Sequence, residues 1–242
     1  MRTLIISDIH ANLGALEAVL AEAGMVDAVW CLGDLVGYGP DPNECVERIA
    51  QLPNLQCILG NHDAAAVSSI EVDAFNPEAR KTVMWTQEKL TPTNKEYLKK
   101  LPERVSLDYI TLVHGSPFRP IWEYLLDTRT ATFNFEFFDT HYCFVGHTHL
   151  PVIYYLPDDR LTAQLIVPEH TSQMTLAPRA ILNPGSVGQP RDRDPRAAYA
   201  ILDLTDYTWE WHRVEYDIPT VQERMRKENL PERHIARLSA GW

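Results

Sequence analysis

The chain has 242 residues, 45% of them hydrophobic and 23% charged, with a formal net charge of −11. That length can bury a full core without staples, and residues 1–242 read as one domain. The acidic balance excludes a nonspecific nucleic-acid surface, which needs clustered Lys and Arg, but not a phosphorylated substrate, because bound cations invert the local field.

No stretch approaches the roughly 18 apolar residues of a membrane span, and the N-terminus lacks a signal-peptide core. The four cysteines, Cys31, Cys45, Cys57 and Cys143, show no CxxC spacing and read as small buried hydrophobes in a reducing compartment. The expectation is a cytoplasmic protein without a membrane partner.

Leu4-Ile5-Ile6 reads as a short buried strand that exits through Ser7-Asp8-Ile9-His10. In extended chain Asp8 and His10 point to the same side, so a carboxylate and an imidazole can grip one cation. Ala11–Gly24 follows as a helix with Leu13, Leu16, Val19, Leu20 and Ala23 on one face, capped by Asn12 and stopped by Gly24. Ala28–Leu32 is a second strand running into Gly33-Asp34-Leu35-Val36-Gly37. A helix over Pro42–Leu52, with Val46, Ile49 and Ala50 inward, precedes the third strand. That strand, Leu55–Leu59, ends in Gly60-Asn61-His62-Asp63. Strand-helix alternation with polar groups at each strand exit is the pattern of a mostly parallel sheet.

Residues 64–101 break the rhythm as a helical excursion, with amphipathic patterns over Pro77–Leu90 and Pro92–Lys100. Strand character returns at Tyr109–Val113, which ends in His114-Gly115-Ser116-Pro117. The aromatic run Phe118–Phe138 reads as core or as a contact between copies of the chain, which leaves a homo-oligomer open. Tyr142–Val145 leaves through Gly146-His147-Thr148-His149. Short strands then follow at Val152–Leu156, Leu161–Val167, Ala180–Leu182, Ala198–Leu204 and Thr208–Val214, and they are expected to build a second sheet on the first. Residues 216–242 close the chain with a helix over Val221–Leu238, interrupted at Pro231.

Of nine histidines, five stand at predicted strand exits: His10, His62, His114, His147 and His149. With Asp8, Asp34 and Asn61 they form an oxygen-and-nitrogen donor set. Such a set suits Mn²⁺, Fe, Co²⁺, Ni²⁺ or Zn²⁺, whereas Ca²⁺ prefers oxygen alone.

Asp8-Ile9-His10, Gly33-Asp34-Leu35-Val36-Gly37, Gly60-Asn61-His62-Asp63, His114 and Gly146-His147-Thr148-His149 resemble the five ordered motifs of the calcineurin-like metallophosphoesterases. The stretch Asn183–Arg191 resembles a further segment of the small bacterial branch, which includes phosphodiesterases and dinucleoside-tetraphosphatase-like enzymes. The resemblance implies an α/β fold, a four-layer αββα sandwich of two mixed sheets, with a dinuclear centre at the strand ends. It implies that Asp8, His10 and His149 hold one divalent metal, that Asn61, His114 and His147 hold another, and that Asp34 bridges them. Manganese is the foremost candidate. A carboxylate can bridge two cations about 3.5–4 Å apart, and a water they share becomes a hydroxide near neutral pH. That hydroxide can attack phosphorus in line while both metals absorb charge. The resemblance keeps His62 out of the ligand set and makes it the acid that protonates the leaving oxygen.

The sequence departs from the branch of protein serine/threonine phosphatases and dinucleoside-tetraphosphate-cleaving relatives, which carry an Asp-Arg pair after the second motif. Here those positions read Leu35, Val36, Gly37 and Tyr38. Arg191 is the candidate replacement for the missing guanidinium, and Trp122 and Tyr124 are candidate walls for stacking a nucleobase. The expected function is hydrolysis of a small phosphodiester or nucleotide phosphoanhydride, with Asp34, Asn61 and His62 at the reacting centre. A phosphomonoesterase or protein phosphatase is the alternative within the class, and a metal-binding interaction scaffold is the alternative outside it. The net charge disfavours a nuclease.

Overall fold

The computed structural model describes residues 1–169 and 172–242. Its first half follows the predicted alternation: β1 (Arg2–Ile6), α1 (Leu13–Ala23), β2 (Ala28–Cys31), α2 (Pro42–Ala50), β3 (Leu55–Cys57) and α3 (Asn61–Ala66). Next come α4 (Pro77–Lys89), α5 (Pro92–Lys99), β4 (Arg104–Leu107), β5 (Ile110–Val113), α6 (Thr128–Asn134) and β6 (Tyr142–Phe144). The remainder is β7 (Val152–Tyr155), β8 (Gln164–Ile166), β9 (Gln173–Thr175), β10 (Ala180–Asn183), β11 (Ala197–Asp203), β12 (Thr208–Val214), α7 (Ile218–Lys227) and α8 (Glu232–Ala240).

Local chemistry sets most helix starts. Asn12 accepts from the Ala15 amide at 3.1 Å, and Gly24, at φ 64°, ends α1. Asn76 and Thr91 cap α4 and α5, each followed by a proline, which suits the first helical position. Ala50, expected to face inward on α2, is exposed, and Cys45 takes the inward place with Val46 and Ile49. The expected closing helix is two helices, because Pro231 lacks an amide to continue α7 and instead stands at the start of α8.

Among the described residues, twelve strands form two six-stranded mixed sheets, in the orders β3-β2-β1-β11-β12-β9 and β4-β5-β6-β10-β7-β8. Strands β1, β2 and β3 run parallel, whereas β11 joins β1 antiparallel, with Leu4 opposite Ile201. The expectation that the strands beyond Leu150 make a second sheet of their own is therefore corrected. β9, β11 and β12 complete the first sheet, and β7, β8 and β10 complete the other. The reason lies in β1, whose residues from Thr3 to Ile6 are wholly buried and need partners along both edges.

Side-chain alternation then sorts the layers. Leu4, Ile6, Val29, Cys31, Tyr199 and Ile201 pack towards α1 and α2. Their neighbours Ile5, Trp30, Ala200 and Leu202 meet Phe144, Ile153 and Leu182 between the sheets. Cys143, Val145 and Ile181 face the outer layer built from Leu125, Ala131, Phe135 and Phe138. This is the expected four-layer αββα sandwich. No helix among the described residues is long and apolar enough to cross a membrane.

Candidate metal centre

The exits of β1, β2 and β3 in one sheet and of β5 and β6 in the other converge at one edge of the sandwich. Asp8, His10, Asp34, Asn61, His62, His114, His147 and His149 are all brought there, each no more than 4% exposed. Donor atoms of Asp8, His10 and His149 lie within 4.8 Å of one another, as do those of Asp34, His114 and His147. A third grouping joins His10, Asp34 and His62. Asn61 reaches the second group through Oδ1, 3.1 Å from His114 Nε2.

Backbone geometry delivers these groups. Asp8, His10, Asp34, His147 and His149 all have φ between 50° and 64°, a region non-glycine residues seldom occupy. Such strain gathers where surrounding structure holds a side chain for use. The Asp34 carboxylate lies so close to Gly60 that a Cβ there would stand 2.1 Å from Asp34 Oδ1, so only glycine fits.

Hydrogen bonds orient the ligand candidates. The Nδ1 atoms of His10, His114 and His149 lie 3.2, 2.7 and 2.6 Å from the carbonyls of Val36, Leu32 and Gln189. Each Nδ1–H donates outward, and each Nε2 faces the centre, the arrangement that fixes metal-binding imidazoles. The His147 amide donates to both Asp8 oxygens at 3.2 and 3.1 Å, and the His62 amide donates to Asp34 Oδ1 at 2.8 Å. Asp34 Oδ2 is thereby left between His10 Nε2 at 3.6 Å and His114 Nε2 at 3.4 Å.

Electrostatics test whether a cation suits this cluster. Burial holds His10, His147 and His149 well below the usual imidazole range, so they are neutral and offer lone pairs. The Nε2 atoms of His10 and His149 are 3.1 Å apart with no proton between them, and His147 Nε2 has no partner. Two lone pairs at that distance repel unless a cation lies between them. Burial pushes Asp8 up to about 7, whereas Asp34 stays well below the carboxylate range, because His114 and His62 outweigh its burial. Burial pulls the His114 imidazole down, but Asp34 outweighs it and pushes His114 up to about 10. A metal ion would displace that proton. The residues fit a metal.

The calcineurin-like phosphoesterase superfamily domain profile matches residues 1–207. The chain belongs to the calcineurin-like phosphoesterase superfamily. An uncharacterized protein of Methanocaldococcus jannaschii is 38% identical over 236 residues, covering 94% of this chain and 93% of that one. The crystal structure of a metallophosphoesterase from Sphaerobacter thermophilus superposes with a TM-score of 0.91 at 47% identity, covering 100% and 99% of the two chains. A symmetrical bis(5'-nucleosyl)-tetraphosphatase of Baumannia cicadellinicola is 37% identical over 67 residues, which is 26% of this chain and 23% of that one. Superfamily membership makes this metallophosphoesterase a hydrolase acting on phosphoester bonds.

Around the cluster, Tyr124 stacks on His147 at 3.9 Å and directs its hydroxyl to Arg191. Arg191 also donates to Gln189 Oε1 at 3.1 Å. Trp122 packs on Phe75 at 5.3 Å, and Phe75 in turn meets the His62 ring at 4.9 Å. Asp63 accepts from the Gly60 and Val36 amides, both at 3.1 Å, so it ties two strand-exit loops together and does not orient the His62 imidazole.

Sequence reasoning missed three residues. Tyr38 stands where the absent Asp-Arg pair would be, with its ring 4.4 Å from His62 and 4.6 Å from His10. His234 of α8 packs against the same ring at 4.5 Å, and Arg237 acts on it electrostatically. The only signal was a histidine on the apolar face of the closing helix, beside Ile235 and Leu238, which reads as core.

Proposed function

We propose that the protein hydrolyses small phosphodiesters or nucleotide phosphoanhydrides at a centre of two divalent metal ions, manganese foremost. The observation that carries this reading is the division of donors into two neighbouring groups, Asp8 with His10 and His149, and Asp34 with Asn61, His114 and His147, with Asp34 Oδ2 only 3.6 Å from His10 Nε2 of the first. Asp8, His10 and His149 would hold one ion, Asn61, His114 and His147 the other, and Asp34 both. When bound, the ions activate water and neutralise charge on the phosphoryl oxygens.

The chain's own residues do the rest. Asp34 is kept ionised, and the His62 amide turns its free oxygen to the shared position. His62 is the proton donor to the leaving oxygen. Burial draws its imidazole down to about 4, so the proton arrives with the anionic substrate, whose charge beside the ring favours the imidazolium. Arg191 binds phosphoryl oxygen through charge-assisted hydrogen bonds. Tyr124 and Trp122 wall the cleft for a nucleoside, in keeping with the tetraphosphatase relative.

The test is elemental analysis of metal-reconstituted protein, combined with a panel of dinucleoside polyphosphates, cyclic nucleotides, aryl diesters and aryl monoesters. Two ions per chain are expected in the wild type, and Asp34→Asn should weaken both sites. At most one ion per chain, or a clear preference for the aryl monoester, would overturn the reading.

A further inference from the structure

Beside the donor cluster stand two guanidiniums that lack an ion-pair partner. Arg191, in the loop between β10 and β11, sits over the Tyr38 ring at 6.0 Å. Arg237 of α8 lies near the same ring, with its guanidinium over Trp242 at 5.4 Å. Neither guanidinium forms an ion pair with a described residue, and both Nε atoms are buried without a partner. Behind Tyr38, the fully buried His234 has two unpartnered nitrogens, with the Glu78 backbone nearby but outside hydrogen-bonding geometry.

This juxtaposition is built. The Arg193 amide donates to the Gly241 carbonyl at 2.6 Å, locking the loop that carries Arg191 onto the end of α8. Gly241 adopts φ +65°, and a Cβ there would stand 2.8 Å from the Asp194 backbone. Burial together with the like charge of Arg191 draws Arg237 below its ordinary value. An anion between them removes that conflict.

We propose that Arg191 and Arg237 form an anion cleft beside His62 that takes a second phosphoryl group, so the enzyme selects substrates whose leaving group is itself phosphorylated. The proposal rests on the reading above and narrows it to phosphoanhydrides. In the hydrolysis, water adds to one phosphorus and the anhydride P–O bond breaks. The departing phosphate keeps the bonding electron pair and takes a proton, while the two guanidiniums hold its charge. A neutral alcohol leaving group would leave the Arg237 guanidinium unmatched.

The test uses the full chain loaded with Mn²⁺. Calorimetric titration with manganese imidodiphosphate, an anhydride analogue that resists hydrolysis, is compared with inorganic phosphate. Arg237→Gln should weaken the diphosphate analogue by about ten-fold or more and phosphate far less, with partial recovery in Arg237→Lys. In steady-state kinetics, kcat/KM should fall about ten-fold further on a dinucleoside polyphosphate than on an aryl diester. Equal weakening of the two anions, or none, overturns the proposal. Failure of the wild type to turn over any phosphoester overturns the parent reading alone, since the calorimetric comparison needs no turnover. If Arg237→Gln does not fold, Arg237→Lys carries the same comparison, because lysine keeps the charge but loses the planar fork.

Discussion

His62 enters the site from the first turn of α3, its ring wedged among Tyr38, His10 and Phe75, its Nδ1 without a partner. If it donates the leaving-group proton, His62→Asn should leave metal content intact and lower turnover by roughly 10²–10⁴-fold on substrates with poor leaving groups. Nitrophenol esters should suffer less, because that leaving group hardly needs a proton. Equal losses on both substrate types, or loss of metal, would remove His62 from the acid role. At this scale the convergence of the candidate donors was legible because each follows a hydrophobic strand at a turn, on the same edge of the sandwich. His234 and Arg237 were not, since nothing in an amphipathic helix says which distant ring its polar members will meet.

The helix α8 carries its own pH signature. Burial, reinforced by Arg237, draws His234 down to about 3 from an ordinary value near 6.5. The unfolded chain therefore takes up this proton first as pH falls. The stabilisation is present above about pH 6.5 and is lost progressively as pH falls towards 3. Urea midpoints for wild type and His234→Gln should diverge in that window, the wild type losing about 2 kcal/mol more between pH 7 and 5. Parallel curves would show that His234 is protonated without penalty. Elements with long patterns or clear caps, such as β1, α1 and α4, were readable in sequence. β4 was missed because its residues alternate between exposed and half-buried without an apolar run. β9 is three residues long, and α6 is hidden in an aromatic stretch whose burial, not its period, decides its place.

The centre draws Asp8, His10, Asp34 and Asn61 from one sheet and His114, His147 and His149 from the other. Metal ions bound there would clamp the two halves of the sandwich. At a hundred-fold excess over Kd the linkage is worth about 2.7 kcal/mol per site. In a chain of this size that should raise Tm by about 5–10 °C for each site filled on adding Mn²⁺, and a chelator should reverse the rise. A Tm indifferent to metal would mean that the donors do not close on an ion in the folded state. The layered architecture followed from the motif order, but the division of strands between sheets did not, because alternation shows which faces are buried and not which edges pair. That division has a kinetic side. β1 is flanked by β2 within its first thirty residues of sequence, yet its other edge waits for Ile201 and its neighbours. Every candidate donor has left the ribosome by His149, before β10 and β11 exist. A growing chain thus carries an open, largely apolar strand edge beside the complete set of cation-seeking side chains. Late closure by distant strands predisposes it to slow folding and to pairing with the wrong neighbour during synthesis.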